Sequence, residues 1–163
     1  MAFWRMQLHP NESAEAVRHT VTSLAASLIG LDFGPGSGPT AAAADVGDLI
    51  GVDRGALLES QRAYLPFATE MKEGDHVLVI VHNFPFALCR VAGGYKYVRE
   101  VSLESGIWFR HSRRVDDVRY YGDFVKDAHA WERTLMSHAF GPLLDPESAQ
   151  YKLIWRWLGA AQQ

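Results

Sequence analysis

Residues 73–81 read Glu-Gly-Asp-His-Val-Leu-Val-Ile-Val. Glu73-Gly74-Asp75 has the composition of a tight turn, and the near-continuous aliphatic run from His76 to Val81 is the pattern of a central strand covered on both faces. Toward the C-terminus, residues 86–91, 95–101, 107–110 and 115–121 are expected as further strands, separated by Gly93-Gly94, Ser105-Gly106 and an intervening polar stretch. The pattern then turns helical near 129–140, breaks at Gly141-Pro142, and closes with a helix over about 147–158. Toward the N-terminus, residues 3–8 form a first strand, stopped by Pro10 with Asn11 as a helix cap. Over residues 12–28, Ala14, Val17, Val21, Leu24 and Leu28 recur at helical spacing and predict one buried face. A strand at 28–33, a Gly/Pro loop from Gly34 to Pro39, a helix capped by Asp53 and a short helix at 67–72 after Pro66 complete the reading. About five to six strands with helices mainly at the two ends predict an α+β fold: a curved sheet or small barrel flanked by helices, which fits better than a doubly wound α/β sheet.

The 163 residues suit one domain, 1–163, with the C-terminal helices of 129–158 packed on it. Disorder throughout is excluded by a 48% hydrophobic fraction, and 5 Trp, 6 Tyr and 8 Phe suffice to fill a core and still line a pocket. No apolar run of about 18 residues occurs, and Met1–Pro10 lacks the basic and long apolar regions of a secretory signal, so no membrane partner and a cytoplasmic location are expected. The single cysteine, Cys89, sits in an apolar strand and is expected to be structural. The net charge of −3 is unevenly spread: residues 90–119 hold 7 basic and 4 acidic side chains, so a polyanion would meet the second half.

Motifs for catalysis are weak. The seven histidines fall at 9, 19, 76, 82, 111, 129 and 138, without the pairing that metal sites use, and no P-loop, G-x-G-x-x-G or G-x-S-x-G occurs. Asp53 with Glu70-Met71-Lys72 formally fits a loose Asp…Glu-x-Lys nuclease pattern. Its Glu and Lys fall at a helix end just before a turn, where they would not face the aspartate from a strand. No metal, no cofactor and no catalytic residue are therefore expected; any cleavage would come from a separately encoded nuclease.

Four stretches, in the right order, resemble EVE domains. Met71-Lys72-Glu73-Gly74-Asp75-His76-Val77-Leu78 through Val81-His82-Asn83 is similar to their turn and strand, and Trp4-Arg5-Met6-Gln7-Leu8-His9-Pro10 to their first strand. Val91-Ala92-Gly93-Gly94-Tyr95-Lys96-Tyr97 with His111-Ser112-Arg113-Arg114-Val115 looks like EVE-like modules of modification-dependent restriction proteins. The resemblance spans about residues 3–121 and departs from the family at Leu8-His9, where Ser-Glu is usual. It implies the PUA-like superfamily, with its YTH and SRA relatives: a curved mixed sheet or pseudo-barrel that reads a modified base in an aromatic-lined pocket.

On that expectation a flipped base meets Trp4, Phe33, Phe84, Tyr95 and Trp108, with Gln7, Asp32, His82 and Asn83 at strand ends for its edge. Asp32 as acceptor for the cytosine amine favours 5-methylcytosine over N6-methyladenine. Lys96, Arg99, Arg110, Arg113, Arg114 and Arg119 are the expected phosphate contacts. The expected partner is modified DNA. The alternatives are an RNA-binding module, or a small hydrolase or ligand-binding enzyme using His82 or His111. Each of these side chains also has a plain structural reading, as core aromatic, cap or solvated strand face.

Overall fold

The structure, a computed structural model, describes residues 1–8, 13–32, 65–97, 106–134 and 140–160. Expectations for Pro10 and Asn11, Phe33, the Gly34–Pro39 loop, the Asp53 helix, residues 98–101 with Arg99, and part of the 129–140 helix lie outside the described residues.

β1 (Phe3–Gln7), β2 (Leu28–Leu31), β3 (His76–Val81), β4 (Phe84–Val91), β5 (Lys96–Tyr97), β6 (His111–Tyr120) and β7 (Phe140–Leu143) form one sheet. Its order is β2-β6-β4-β3-β1-β7, with β5 also paired to β6. β1 and β3 are parallel and the other pairs antiparallel, so the sheet is mixed. It curls into a half-barrel, and with α1 (Ala16–Ala25), α2 (Tyr121–Phe124) and α3 (Ala149–Ala160) the fold is α+β, as expected.

All six residues of β3 are buried, as its unbroken apolar run requires. Its alternate side chains supply two cores. Val77 and Val79 join Trp4, Met6, Cys89 and Phe67 on one face, while Leu78 and Ile80 join Phe3, Leu88, Tyr121 and the α3 residues Leu153, Ile154 and Trp157 on the other. A two-residue loop links β3 to β4, and both His82 and Asn83 have positive φ, 53° and 64°, the arrangement of a type I′ hairpin turn.

Two polar anchors organise the first core. Asp75, only 4% exposed, accepts hydrogen bonds from the Ala2 and Lys72 backbone N–H groups and from the Trp4 indole, each at 2.9 Å. The Gly-Asp turn before β3 is therefore tied directly to the tryptophan of β1. Arg113, also 4% exposed, donates to the carbonyls of Phe67, Ala68, Met71 and Gly93 at 2.7–3.0 Å. Its guanidinium lies 5.9 Å from the Phe67 ring centroid. One side chain thus holds the single π-helical turn Pro66–Glu70 against the sheet.

The structure redraws several elements. Residues 107–110 form no strand, and the polar stretch 111–114 that was expected to interrupt pairing is the start of β6. His111, Ser112 and Arg113 are buried there while Arg114 is exposed, and His111 and Arg113 find hydrogen-bond partners in the interior. Gly141-Pro142, expected as a break, lies inside β7. Among the described residues β7 is an edge strand of the sheet, the position where proline is tolerated. Within 129–134 the chain has a single 3-10 turn, Ala128–Ala130, in place of the expected helix start. On α1 the buried face is Ala16, Thr20, Ser23 and Leu24, while Val17 and Val21 are exposed. Thr20 Oγ1 donates to the carbonyls of Leu8 and Ala16, so hydroxyls and small side chains, not valines, make the close approach. Leu28 belongs to β2.

Candidate nucleic-acid interface

The start of β6 is flanked by β2 on one side and β5 on the other, with Leu31 and Tyr97 both opposite His111. Because side chains alternate along a strand, His111 and Arg113 share one face with Tyr97, and Lys96 falls with Ser112 and Arg114 on the reverse face. His111, only 3% exposed, has its Nδ1 2.8 Å from the Tyr95 hydroxyl. The Tyr97 and Tyr95 rings lie 5.1 and 5.9 Å from the imidazole. Next along the chain, Arg110 makes a two-pronged ion pair with Asp32 at 2.7 and 2.9 Å. Such forked pairing fixes a guanidinium's direction as well as its charge.

Residues 107–110 lead into this cluster. Phe109 is buried directly over Gly30, where a Cβ would fall inside the phenyl ring. That position in β2 therefore requires glycine. Trp108, half-buried, packs perpendicular to Phe109 at 5.4 Å. Its indole N–H is buried and has no hydrogen-bond partner among the described residues. An unsatisfied buried donor costs about 1–3 kcal/mol, so the free protein carries this group at a loss.

The expected pocket residues divide between two ends of the sheet. Asp32, Tyr95 and Trp108 gather at the start of β6. Gln7, His82, Asn83 and Phe84 lie at the opposite end, beside the β3–β4 turn. The 10 residues of β6 separate the two ends, roughly 30 Å at strand rise, too far for one base. Trp4 belongs to neither: it is 4% exposed, stacked on Phe140 at 5.2 Å and bonded to Asp75, inside the first core. Phe33 lies outside the described residues.

The basic residues divide as well. Arg110 stands beside the rings, Lys96 and Arg114 are exposed on the reverse face of the same end, and Arg99 lies outside the described residues. Arg113 is occupied in the interior by four carbonyls. Arg119, bound to Asp117, pairs with Leu88 on the α3 side of the sheet. Tyr97 was not among the expected pocket residues, and His111 was named only for the hydrolase or ligand-binding alternative, although both lie in the quoted Tyr-x-Tyr and His-Ser-Arg-Arg stretches. The signal was their shared register, which only strand pairing reveals.

Among the described residues no group of three His, Cys, Asp or Glu side chains could hold a metal ion, and none of the helices is long and apolar enough to cross a membrane. Burial pushes the Cys89 thiol up to about 12, and its Sγ lies 3.8 Å from the Val77 carbonyl. The folded protein should accordingly show no reaction with a thiol reagent at pH 8 until denaturant is added; rapid labelling of the native state would place Cys89 elsewhere.

Fold and cluster together define a mixed-sheet α+β half-barrel with a tyrosine–histidine cluster and a fixed guanidinium at one end. No protein-family model matches the chain. No curated protein matches it.

Proposed function

We propose that this chain is a non-catalytic reader of modified nucleic acid, taking one unstacked base at the start of β6. The observation that carries the reading is the Tyr95–His111–Tyr97 cluster beside the Asp32-bound guanidinium of Arg110. Extruding a base costs a few kcal/mol, and stacking on aromatic rings returns about 1–3 kcal/mol per base, so a small ring cluster with a few edge contacts suffices. The similarity of the Trp4, Gly74-Asp75 and Tyr-x-Tyr…His-x-Arg-Arg stretches to EVE-like modules points to the same chemistry. Arg110, Lys96 and Arg114 are the phosphate contacts in this reading. Modified DNA is the partner, and cleavage, where it occurs, belongs to a separate nuclease. 5-Methylcytosine is the first base to test and N6-methyladenine the second. Because Arg110 holds both Asp32 oxygens, the binding series rather than Asp32 decides that order.

The test is a titration against matched duplexes, unmodified, 5-methylcytosine-bearing and N6-methyladenine-bearing, and against single-stranded RNA, at two salt concentrations. One modified duplex should bind at least about tenfold tighter than its unmodified match, a preference of about 1.4 kcal/mol. Tyr95→Ala should abolish that preference while leaving the salt slope, which counts phosphate contacts, unchanged. Equal binding to all duplexes with a steep salt slope would leave only a cationic surface. Preference for the RNA would transfer the site to RNA.

A further inference from the structure

We infer that Trp108 reads the base with its edge: its indole N–H donates to a hydrogen-bond acceptor of the bound base, a carbonyl oxygen or an unprotonated ring nitrogen. The inference rests on the reading that a base enters at the start of β6, and it assigns Trp108 a role other than stacking. Four buried polar atoms among the described residues have no partner, on Arg5, His76, Trp108 and Arg119. Register places Arg5, His76 and Arg119 with Leu78 and Leu88 on the α3 side of the sheet. Trp108 alone of the four stands at the aromatic end, two residues before Arg110.

The chain is fixed just past the ring. Phe109 fills the space above Gly30, and Arg110 is forked to Asp32, so the chain at Trp108 is anchored at the next two residues. Residues 107–109 themselves lie in neither strand nor helix, and the indole is half-buried against Phe109 and the first core. An indole offers a donor and no acceptor. The complementary group must therefore be an acceptor, and a planar ligand is the one that can present it among these rings. A donor kept unsatisfied in the free protein and satisfied in the complex is the pattern expected where local stability is given up for recognition.

Trp108→Phe separates the two roles, since it keeps an aromatic face and removes the donor. The variant should melt no lower than the wild type, because the unsatisfied N–H goes with the indole. Its affinity for the preferred modified duplex should fall about tenfold, equivalent to about 1.4 kcal/mol. A base analogue with C–H in place of the acceptor nitrogen, or lacking the acceptor oxygen, should cost the wild type a similar factor and the variant nothing, the signature of a direct pair in a double-change cycle. Unchanged affinity and selectivity in Trp108→Phe would overturn the inference while the reader function stands. A wild type that does not discriminate among the duplexes would overturn both. If the variant does not fold, the five indole N–H proton resonances of the wild type decide. The one with through-space contacts to the Phe109 ring must move downfield when the modified duplex is added, and a stationary signal refutes the donor role.

Discussion

Arg113→Met should lower the melting temperature by about 10 °C or more, while Arg114→Met, one residue along, should shift it by no more than about 2 °C. The two side chains have the same chemistry and opposite surroundings. Arg114 is exposed, and its guanidinium makes a 3.3 Å hydrogen bond to the Ala92 carbonyl. Arg113 is buried, and burial pulls its guanidinium below the usual arginine range, opposed by the nearby carboxylates Asp75 and Glu73; it nevertheless stays a cation at neutral pH. Methionine approximates the aliphatic stem but leaves four inward-facing carbonyls without donors. Breaking a buried charged interaction by removing one partner costs about 3–5 kcal/mol, and a domain of this length loses about 2–4 °C per kcal/mol. Arg113→Lys should lie between the two, since an ammonium keeps the charge without the planar fork. Thermal unfolding of the three variants checks the order; equal, small shifts for Arg113→Met and Arg114→Met would refute the anchor.

Asp75→Ala should cost about 3 kcal/mol at pH 7, because three donors then lose their acceptor in the interior. Burial by itself would raise this carboxyl, but the N–H groups of Ala2 and Lys72 and the Trp4 indole outweigh it and hold Asp75 below the ordinary aspartate range of 3.8. A folded-state value below the unfolded one means that the stabilisation is present above about pH 3.8 and drains away as the pH falls toward the lower folded value. His76 adds a separate loss at milder acidity. Burial lowers it from 6.5, with Arg119 and Arg90 adding to the effect and Asp117 opposing it, so the unfolded chain takes up this proton first and stability declines as pH drops below about 6.5. Urea unfolding from pH 7 to pH 3 should show both steps. Asp75→Asn should diminish the lower one, since an amide does not titrate and turns an N–H₂ toward donors, while Asp116, held below the usual aspartate range by its hydrogen bonds from Arg90, remains. A wild-type profile that is flat over pH 4–7 would contradict the His76 step, and an undiminished acid step in Asp75→Asn would contradict the other.

Much of the fold was legible because it follows from periodicity. β3 announced itself by an unbroken apolar run between a Gly-Asp turn and a polar pair, and α3 by its spacing. Reading failed where burial and polarity part company. Residues 111–114 look like a solvated break, yet His111 and Arg113 are among the most buried polar side chains, each supplied with partners from elements distant in sequence. The α1 face was misassigned for the same reason, since Thr20 and Ser23 bury their hydroxyls on backbone carbonyls and valines stay outside. For the candidate site, residue types were legible but not their grouping. Strand ends all look alike in a sequence, and only the register showed that Asn83 and Asp32 occupy opposite ends of the sheet. The Gly-Asp turn and the tryptophan of β1, two separate stretches in the sequence, proved to be two halves of one hydrogen bond.

That bond joins residues 71 positions apart, and the same β1 strand meets β7 still later in the chain. By contrast β3 and β4 close through two residues. Loop-closure entropy therefore orders assembly, with the β3–β4 hairpin forming early and β1 docking after it. On a ribosome, the first strand emerges without either neighbour and waits as an unpaired edge until β3 has been made. It is flanked on both sides only when Phe140–Leu143 has followed, so the long wait of β1 for its two partners is an aggregation-exposed stage in the synthesis of this sheet.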